Sequence, residues 1–302
     1  MRIKAIINPS AGKEKGKKEF TEAMERLRAD GIVESVDFLY TKKQHDAERF
    51  AAQADSADYD LVLAAGGDGT AHEVVNGMMQ GKHKTPLLLF AAGTVNDFAQ
   101  SMQLPRNSAQ MEKLLRSHCV RTIDLGKVRD RYFLNVCAGG MLTDVAYTTS
   151  RESKALLGRL AYIVKGAVQA PREIFNPYDF RFVIDDDEII EDEFYLFLVA
   201  NSNSVGGFNK IMPAAKSDDG LLDFIAVRSD IKDLFPIVPL IQQIRQGDHL
   251  DHPSVIYRQG RSFKAECLNQ DVVLDLDGEK GDPLPAEITA VHQCLNLLVP
   301  KD

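Results

Sequence analysis

Within the first 92 residues four short apolar runs each break off into small, hydroxyl-bearing or amide residues. The runs, Lys4 to Ile7, Val36 to Tyr40, Asp60 to Ala64 and Leu87 to Phe90, read as strands. Helical patterns fall between and after them, around Lys17 to Ala29, Asp46 to Ala54, Ala71 to Met79 and Ala109 to Leu115, with Gly31, Asp58 and Pro86 as punctuation. Strand alternating with helix is the texture of a parallel sheet covered by helices, so the sequence predicts a doubly wound α/β unit. Ligands of such open sheets bind beyond the carboxyl ends of the strands. Here those ends read Asn8-Pro9-Ser10-Ala11-Gly12-Lys13, Thr41, Gly66-Gly67-Asp68-Gly69-Thr70 and Ala91-Ala92-Gly93-Thr94-Val95-Asn96-Asp97.

Beyond about Lys127 the pattern changes to runs rich in Val, Ile, Phe and Tyr: Tyr132 to Val136, Asp179 to Ile184, Glu193 to Ala200, Leu222 to Val227, Ser262 to Glu266 and Val272 to Leu276. Asp219-Gly220 and Asp277-Gly278 stand where hairpin turns would. A second, β-rich domain of sandwich type follows. Two stretches of helical period interrupt it, Glu152 to Ala170 and Asp233 to Arg245. The expected division is residues 1–126, which 291–302 are free to rejoin, and residues 127–290.

Glycines at a strand end let backbone approach a phosphate closely, and a helix starting at Ala71 aims its unpaired N–H groups and positive dipole end at that anion. Thr70 and Thr94 are candidate donors to phosphate oxygens. Asp68 is the odd member, because a carboxylate beside a polyphosphate is repulsive unless a divalent cation bridges the two. The loop therefore asks for a nucleotide with Mg²⁺, although a lone Gly-rich segment more often only turns a strand into a helix. Neither GxxxxGK[ST] nor GxGxxG occurs, so the phosphate binder is of another class.

Taken together, the GGDGT of Gly66 to Thr70, the NPSAGK of Asn8 to Lys13, the AAGTVNDFA of Ala91 to Ala99 and the LDGE of Leu276 to Glu279 resemble the diacylglycerol kinase catalytic-domain family. The resemblance runs nearly end to end. It implies a nucleotide-binding α/β domain followed by a β-sandwich, with catalysis in the cleft between them and transfer of the ATP γ-phosphate to a lipid hydroxyl, diacylglycerol first. Sphingoid bases, ceramides, monoacylglycerols and phosphatidylglycerol stay open as acceptors. The family's nucleotide site carries over to Asn8, Thr41, Gly66, Gly67, Asp68, Gly69, Thr70, Ala71, His72 and Thr94, with Asp68 acting through Mg²⁺. One departure is that Ala91-Ala92 stands where a proline is common in the family. NAD kinases share GGDGT, but the Asn-Glu dipeptide typical of them is absent. A sensor that has lost turnover would be expected to lack Asp68 or Glu279, and both are present.

Loss of a proton from the attacking hydroxyl calls for a carboxylate within hydrogen-bond reach. Asp275, Asp277 and Glu279 are candidates that spacing alone reads as a solvated hairpin end. The resemblance instead places the general base at Glu279, with Asp277 as a supporting or metal-linked acid. It likewise implies a structural Mg²⁺ loop in Pro213 to Asp223, where the Asp219 carboxylate joins main-chain oxygens of Lys216 and Leu221. The run Asp185-Asp186-Asp187-Glu188 reads as a solvated turn, and His249 and His252 as exposed residues around another.

With 36 Lys plus Arg against 44 Asp plus Glu the formal charge is −8, which argues against a nucleic-acid partner. Cys119, Cys137, Cys267 and Cys294 lie far apart, as reduced thiols of a cytoplasmic protein would. No apolar run approaches a membrane span. Transient attachment to an anionic membrane surface is expected through the amphipathic stretch from Arg151 to Arg172, with Lys154, Arg159 and Lys165, because each cation near such a leaflet contributes about 1 kcal/mol. Packing of that helix on the sandwich is an equal alternative. A second basic cluster, Lys13, Lys15, Lys17 and Lys18, could serve either ATP or the membrane. A homodimer is left open.

Overall fold

The computed structural model describes residues 1–11, 14–82, 84–93, 96–141, 176–205, 207–229 and 237–301. The stretch from Arg151 to Arg172, Gly12, Lys13 and Thr94 lie outside them, and of Lys15, Lys17 and Lys18 only the backbone is described. The chain divides into two compact units, Met1–Ile123 with Gln293–Asp302 and Asp124–His292.

The first unit alternates β1 (Arg2–Ile7), α1 (Glu14–Ala29), β2 (Ser35–Tyr40), α2 (Asp46–Ala51), β3 (Leu61–Gly66), α3 (Asp68–Gly81), β4 (Leu87–Ala91), α4 (Asp97–Ser101) and α5 (Ser108–Arg116). The strands are parallel in the order β2-β1-β3-β4, and Leu297 pairs with Leu87 beyond β4. Alternate residues serve opposite faces, as the strand period of two requires. Ile3, Ala5, Leu61, Leu63 and Leu88 meet Phe20, Met24 and Leu27 of α1 and Met111, Leu114 and Leu115 of α5. On the other face Lys4 donates to the Gln53 carbonyl behind α2 at 2.8 Å. Asn107 caps α5 by accepting the Gln110 amide at 2.9 Å, worth about 1 kcal/mol at such positions. Helix α3 starts at Asp68, three residues before the expected start at Ala71, because Gly67 takes the extended N-cap geometry and the turn needs no further residues. Two of the four clusters at the strand ends therefore belong to a helix as well as to a loop.

The second unit is β-rich: β5 (His118–Val128) enters it, followed by β6 (Arg131–Phe133), β7 (Val136–Gly140), β8 (Tyr178–Ile184), β9 (Glu188–Ala200), β10 (Leu222–Arg228), helix α6 (Ile237–Gln246), β11 (Val255–Gly260), β12 (Ser262–Cys267), β13 (Val273–Leu276), β14 (Glu279–Pro283) and β15 (Ala286–Pro300). Neighbours run β14-β13-β7-β9-β8-β12-β15, with β10 between β9 and β11. Inward-facing aromatics fill the core: Phe182 lies 5.0 Å from Phe197 and 4.8 Å from Phe224, which stacks on Phe263 at 5.6 Å. Edge-to-face and offset pairs of this kind add to the gain from area alone.

Three expectations change here. The run Tyr132 to Val136 is two strands rather than one, since the amides of Leu134, Asn135 and Val136 turn to the Asp277 carboxylate instead of a neighbouring strand. Asp219-Gly220 is no tight hairpin turn: β9 and β10 are antiparallel neighbours, and all of 201–221 connects them. His249 is fully buried, donating from Nε2 to the Ile211 carbonyl at 2.9 Å, and burial pushes its pKa below the usual histidine range. The acidic run does form an exposed turn, between β8 and β9, with Asp185 Oδ1 accepting the Arg261 and Ser262 amides at 2.7 and 2.8 Å.

Candidate functional site

The strand ends of the first unit are tied to one another. The Asn8 amide donates to the Ala65 carbonyl at 2.9 Å, and its side chain donates from Nδ2 to Thr70 Oγ1 at 3.2 Å. Asn8 Oδ1 meanwhile accepts the Ser10 amide at 3.0 Å, which curls the chain after β1. The Gly66 carbonyl receives the amides of Ala92 and Gly93 at 2.9 and 3.2 Å, and the Thr41 amide donates to the Ile7 carbonyl at 2.9 Å. These bonds bring the ends of β1, β2, β3 and β4 to one edge.

Glycine is required there by contact rather than by dihedral angle. A Cβ on Gly66 would stand 2.4 Å from Thr70 Oγ1, and one on Gly93 would stand 2.7 Å from the Gly67 Cα. Neither distance is tolerable for a real side chain without displacement of the loop. At the start of α3 the Thr70 and Ala71 amides turn back to the Gly67 carbonyl at 3.0 and 3.1 Å, whereas the Gly69 amide makes no hydrogen bond among the described residues. Unpaired first-turn amides and the helix dipole make such an end anion-seeking. Asp68 Oδ2 accepts the Asn96 amide at 3.1 Å, and Asn96 Nδ2 donates to the Gly93 carbonyl at 2.6 Å. Asn96 itself holds φ +51, a left-handed conformation that asparagine tolerates better than most residues. Of the residues expected here, Asn8, Thr41, Gly66, Gly67, Asp68, Gly69, Thr70 and Ala71 lie at or beside this edge. His72 is buried within α3, where its carbonyl accepts from Asn76 Nδ2 at 2.9 Å. In the sequence Asn96 stands out only as part of the Ala91 to Ala99 motif, and its hold on Asp68 has no sequence signal.

In the second unit Asp277 and Gly278 form the two-residue turn between β13 and β14, with φ +55 and +90. Both positive angles fit the tight turn that twisted hairpins prefer. The Asp277 carboxylate is held by three amides: Leu134 at 2.8 Å on one oxygen, Asn135 and Val136 at 2.9 and 3.0 Å on the other. Buried Asp275 accepts the Gly278 amide at 2.7 Å, which fixes the far side of the turn. Glu279 follows at the head of β14, half-buried and opposite Leu276. Beneath the turn, burial and then the charges of Asp275 and Asp277 push the Cys137 thiol well up, so it stays protonated.

The 213–223 segment closes on Asp124, whose side chain is fully buried. Asp124 Oδ2 accepts the Gly220 amide at 2.6 Å, its Oδ1 lies 2.8 Å from His292 Nδ1, and its own amide donates to the Ser217 carbonyl at 2.6 Å. Asp219 is exposed, with Oδ1 accepting the Leu221 amide at 3.0 Å. Lys216 is exposed and Leu221 half-buried. Hard oxygen donors from Asp219 and the neighbouring main chain suit Mg²⁺ in kind. Among the described residues no three His, Cys, Asp or Glu side chains converge as a metal cluster. Asp223, one turn of chain further on and buried, has its pKa pushed up to about 6 by burial, with Tyr257 and Gln259 hydrogen-bonded to it in opposition and the charge of Asp219 adding to the rise.

Residues 2–128 match the family model described as diacylglycerol kinase catalytic domain, and residues 136–299 the one described as YegS C-terminal NAD kinase beta sandwich-like domain. A diacylglycerol kinase of Staphylococcus epidermidis is 37% identical over 100% of this chain and 93% of its own length. The chain belongs to the diacylglycerol kinase catalytic-domain family. It is an enzyme of the lipid-kinase class, and the family uses ATP as phosphate donor. The kinase of Staphylococcus saprophyticus is 35% identical over all of this chain and 96% of that protein. Among solved structures, a putative diacylglycerol kinase from Bacillus anthracis superposes with a TM-score of 0.84 at 26% identity, covering 99% of this chain and 96% of that one. An NAD kinase from Archaeoglobus fulgidus solved with ATP reaches 0.54 at 15% identity, which shows a shared fold. An α/β first unit and a β-sandwich second unit are what this family has. No helix among the described residues of this kinase is long and apolar enough to cross a membrane.

Proposed function

We propose that this kinase transfers the γ-phosphate of ATP to the free hydroxyl of diacylglycerol, giving phosphatidic acid. The observation that carries the reading is the glycine-lined edge of the first unit, where Gly66, Gly67 and Gly93 pack backbone on backbone and the Gly69 amide awaits an acceptor. Similarity along the whole of this chain to relatives named diacylglycerol kinase supports the choice of acceptor.

Phosphoryl transfer asks the protein mainly for positioning and charge neutralisation. Gly67, Gly69 and Thr70 bind phosphate oxygens, Asn8 and Thr41 orient the nucleotide, and Thr94 joins them. Asp68 is the carboxylate that would hold Mg²⁺ at the phosphates, and Asp219 with the Lys216 and Leu221 carbonyls would hold a second, structural ion. When bound, Mg²⁺ neutralises the charge that develops on the transferred group. Glu279 takes the proton from the attacking hydroxyl. Asp277 spends its carboxylate on the 134–136 amides and so aims the turn that carries Glu279. Peripheral attachment to an anionic membrane through the 151–172 stretch brings the protein to its lipid. Changing Lys154, Arg159 and Lys165 to Glu weakens co-sedimentation with anionic vesicles on this reading, and unchanged sedimentation removes it.

The test is transfer of labelled γ-phosphate from ATP with Mg²⁺ to mixed micelles carrying diacylglycerol, a sphingoid base, ceramide, monoacylglycerol or phosphatidylglycerol, with NAD as a soluble control. Labelled phosphatidic acid is the expected product. Label in another lipid overturns the acceptor and keeps the chemistry; label in NAD alone overturns both.

A further inference from the structure

Carboxylates, rather than glycines, fix the strand end that carries Thr41. The Lys42 and Lys43 amides both donate to Asp46 Oδ2, at 2.9 and 3.1 Å, while Asp46 Oδ1 accepts from Arg49 at 2.9 Å. Glu73 reaches across from α3 with both oxygens: Oε1 accepts the His45 amide at 2.9 Å and Oε2 the Ala47 amide at 3.1 Å. His45 between these contacts holds φ +66 and gives α2 no side-chain cap of its own. A residue other than glycine keeps a left-handed conformation only when its surroundings over-determine it. Here the determining group belongs to the residue that directly follows His72, so one carboxylate joins the chain after β2 to the first turns of α3.

Resting on the nucleotide reading above, we infer that Glu73 is a positioning residue for ATP, holding the Thr41–Ala47 segment in register with the first turn of α3 through two backbone amides. It touches no substrate. A glutamine at 73 keeps the shape but turns an NH₂ toward one of the two amides, and that amide loses its acceptor. Thr41 is then free to drift relative to the phosphate-facing amides. The bland rival is that Glu73 only braces α2 against α3. That interface has another polar contact, from Gln80 to Glu48 Oε1, whose other oxygen lies 3.4 Å from the His45 ring but accepts none of the segment's backbone amides that Glu73 holds. Gln80→Ala therefore loosens the same helix pair and keeps both Glu73 contacts to the His45 and Ala47 amides.

The experiment measures ATP affinity by calorimetry, KM for ATP and kcat with diacylglycerol micelles, and the thermal midpoint, for the wild type, Glu73→Gln and Gln80→Ala. Glu73→Gln is expected to raise Kd and KM for ATP about tenfold with kcat changed by less than about twofold, as loss of a fixed binding geometry does. Gln80→Ala is expected to shift only the thermal midpoint. Glu73→Asp, one methylene shorter, reaches one amide and should fall between wild type and Glu73→Gln; it also serves should the glutamine variant not fold. Wild-type ATP parameters in both Glu73 variants, or an equal effect in Gln80→Ala, overturn the inference. A wild-type protein that binds no ATP overturns the nucleotide reading itself, and the inference with it.

Discussion

At the strand ends of the first unit glycines bring backbone against backbone, so that Gly93 and Gly67 nearly touch and the Gly69 amide has no partner among the described residues. Around the 275–279 turn of the second unit the acidic side chains are already engaged: Asp277 by three amides and Asp275 by the Gly278 amide. One region packs backbone on backbone around a helix start; the other uses carboxylates as structural acceptors and leaves Glu279, the base in the proposed reading, half-buried at the end of a strand. On the proposed function each arrangement suits its partner. A polyphosphate needs several weak donors at fixed spacing, and a hydroxyl needs a single base held at a fixed angle.

The largest expected effects test the two ends of that comparison separately. Asp68→Ala and Glu279→Gln should each lower kcat about a thousandfold, the scale typical of losing an electrostatic partner or a general base. Circular dichroism and the thermal midpoint should stay near wild type. Asp68→Ala should also weaken the response of rate to Mg²⁺, whereas Glu279→Gln should leave ATP binding intact. Near-normal turnover in either variant removes that residue from the chemistry.

Next comes Gly93→Ala, which adds one methyl group 2.7 Å from the Gly67 Cα. The 91–96 turn must move away from the start of α3, and a displacement of about 1 Å in a positioning loop can cost on the order of a hundredfold in rate. ATP affinity measured by calorimetry should fall at least about tenfold. Wild-type affinity would show that the close approach serves packing alone and that the phosphates lie elsewhere.

Asp277→Asn carries the comparison into the second unit. An asparagine offers one acceptor oxygen to three amides, so about 2 kcal/mol of stability should be lost, in the range of charged hydrogen bonds. Urea unfolding measures the loss. If Asp277 aims the turn, kcat should fall while KM for ATP stays unchanged, and a fall in ATP affinity instead would assign Asp277 to the nucleotide.

How much of this could be read from sequence differs between the two regions for a physical reason. Gly66 to Thr70 is a local constraint: strand, turn and helix start are contiguous, so residue types alone mark the glycine-lined edge. The role of Asp277 depends on amides more than 140 residues earlier, and no local pattern encodes them. For the same reason Tyr132 to Val136 looked like one strand. His249 looked exposed because it sits in a turn, yet the turn folds back on the Ile211 carbonyl and the Gln243 carbonyl, which takes the Gly247 and Asp248 amides. The long strand β15 has no clear sequence pattern because its polar residues interrupt the apolar alternation and Gln293, at φ +45, breaks it where the two units divide. Glu73 reads as an ordinary helix-surface glutamate until its two amide partners are known.

The smallest expected effect separates a buried carboxylate without assigned chemistry from those that hold backbone. Asp223 accepts from Tyr257 and Gln259, and burial raises its pKa to about 6 from an ordinary 3.8. Because the folded value lies above the unfolded one, its favourable contribution is full below about pH 3.8 and is lost as pH rises through about 6. At neutral pH the charge is therefore a cost, which Asp223→Asn removes while its carbonyl oxygen keeps an acceptor for Tyr257. The variant should be more stable than wild type at pH 7 by on the order of 1–2 kcal/mol and should match it near pH 4, as read from thermal or urea unfolding across that range. Asp277→Asn should show the reverse sign at pH 7, since that carboxylate is held by amides that need its charge. Were both substitutions to destabilise alike at pH 7, Asp223 too would belong among the carboxylates that hold their surroundings together.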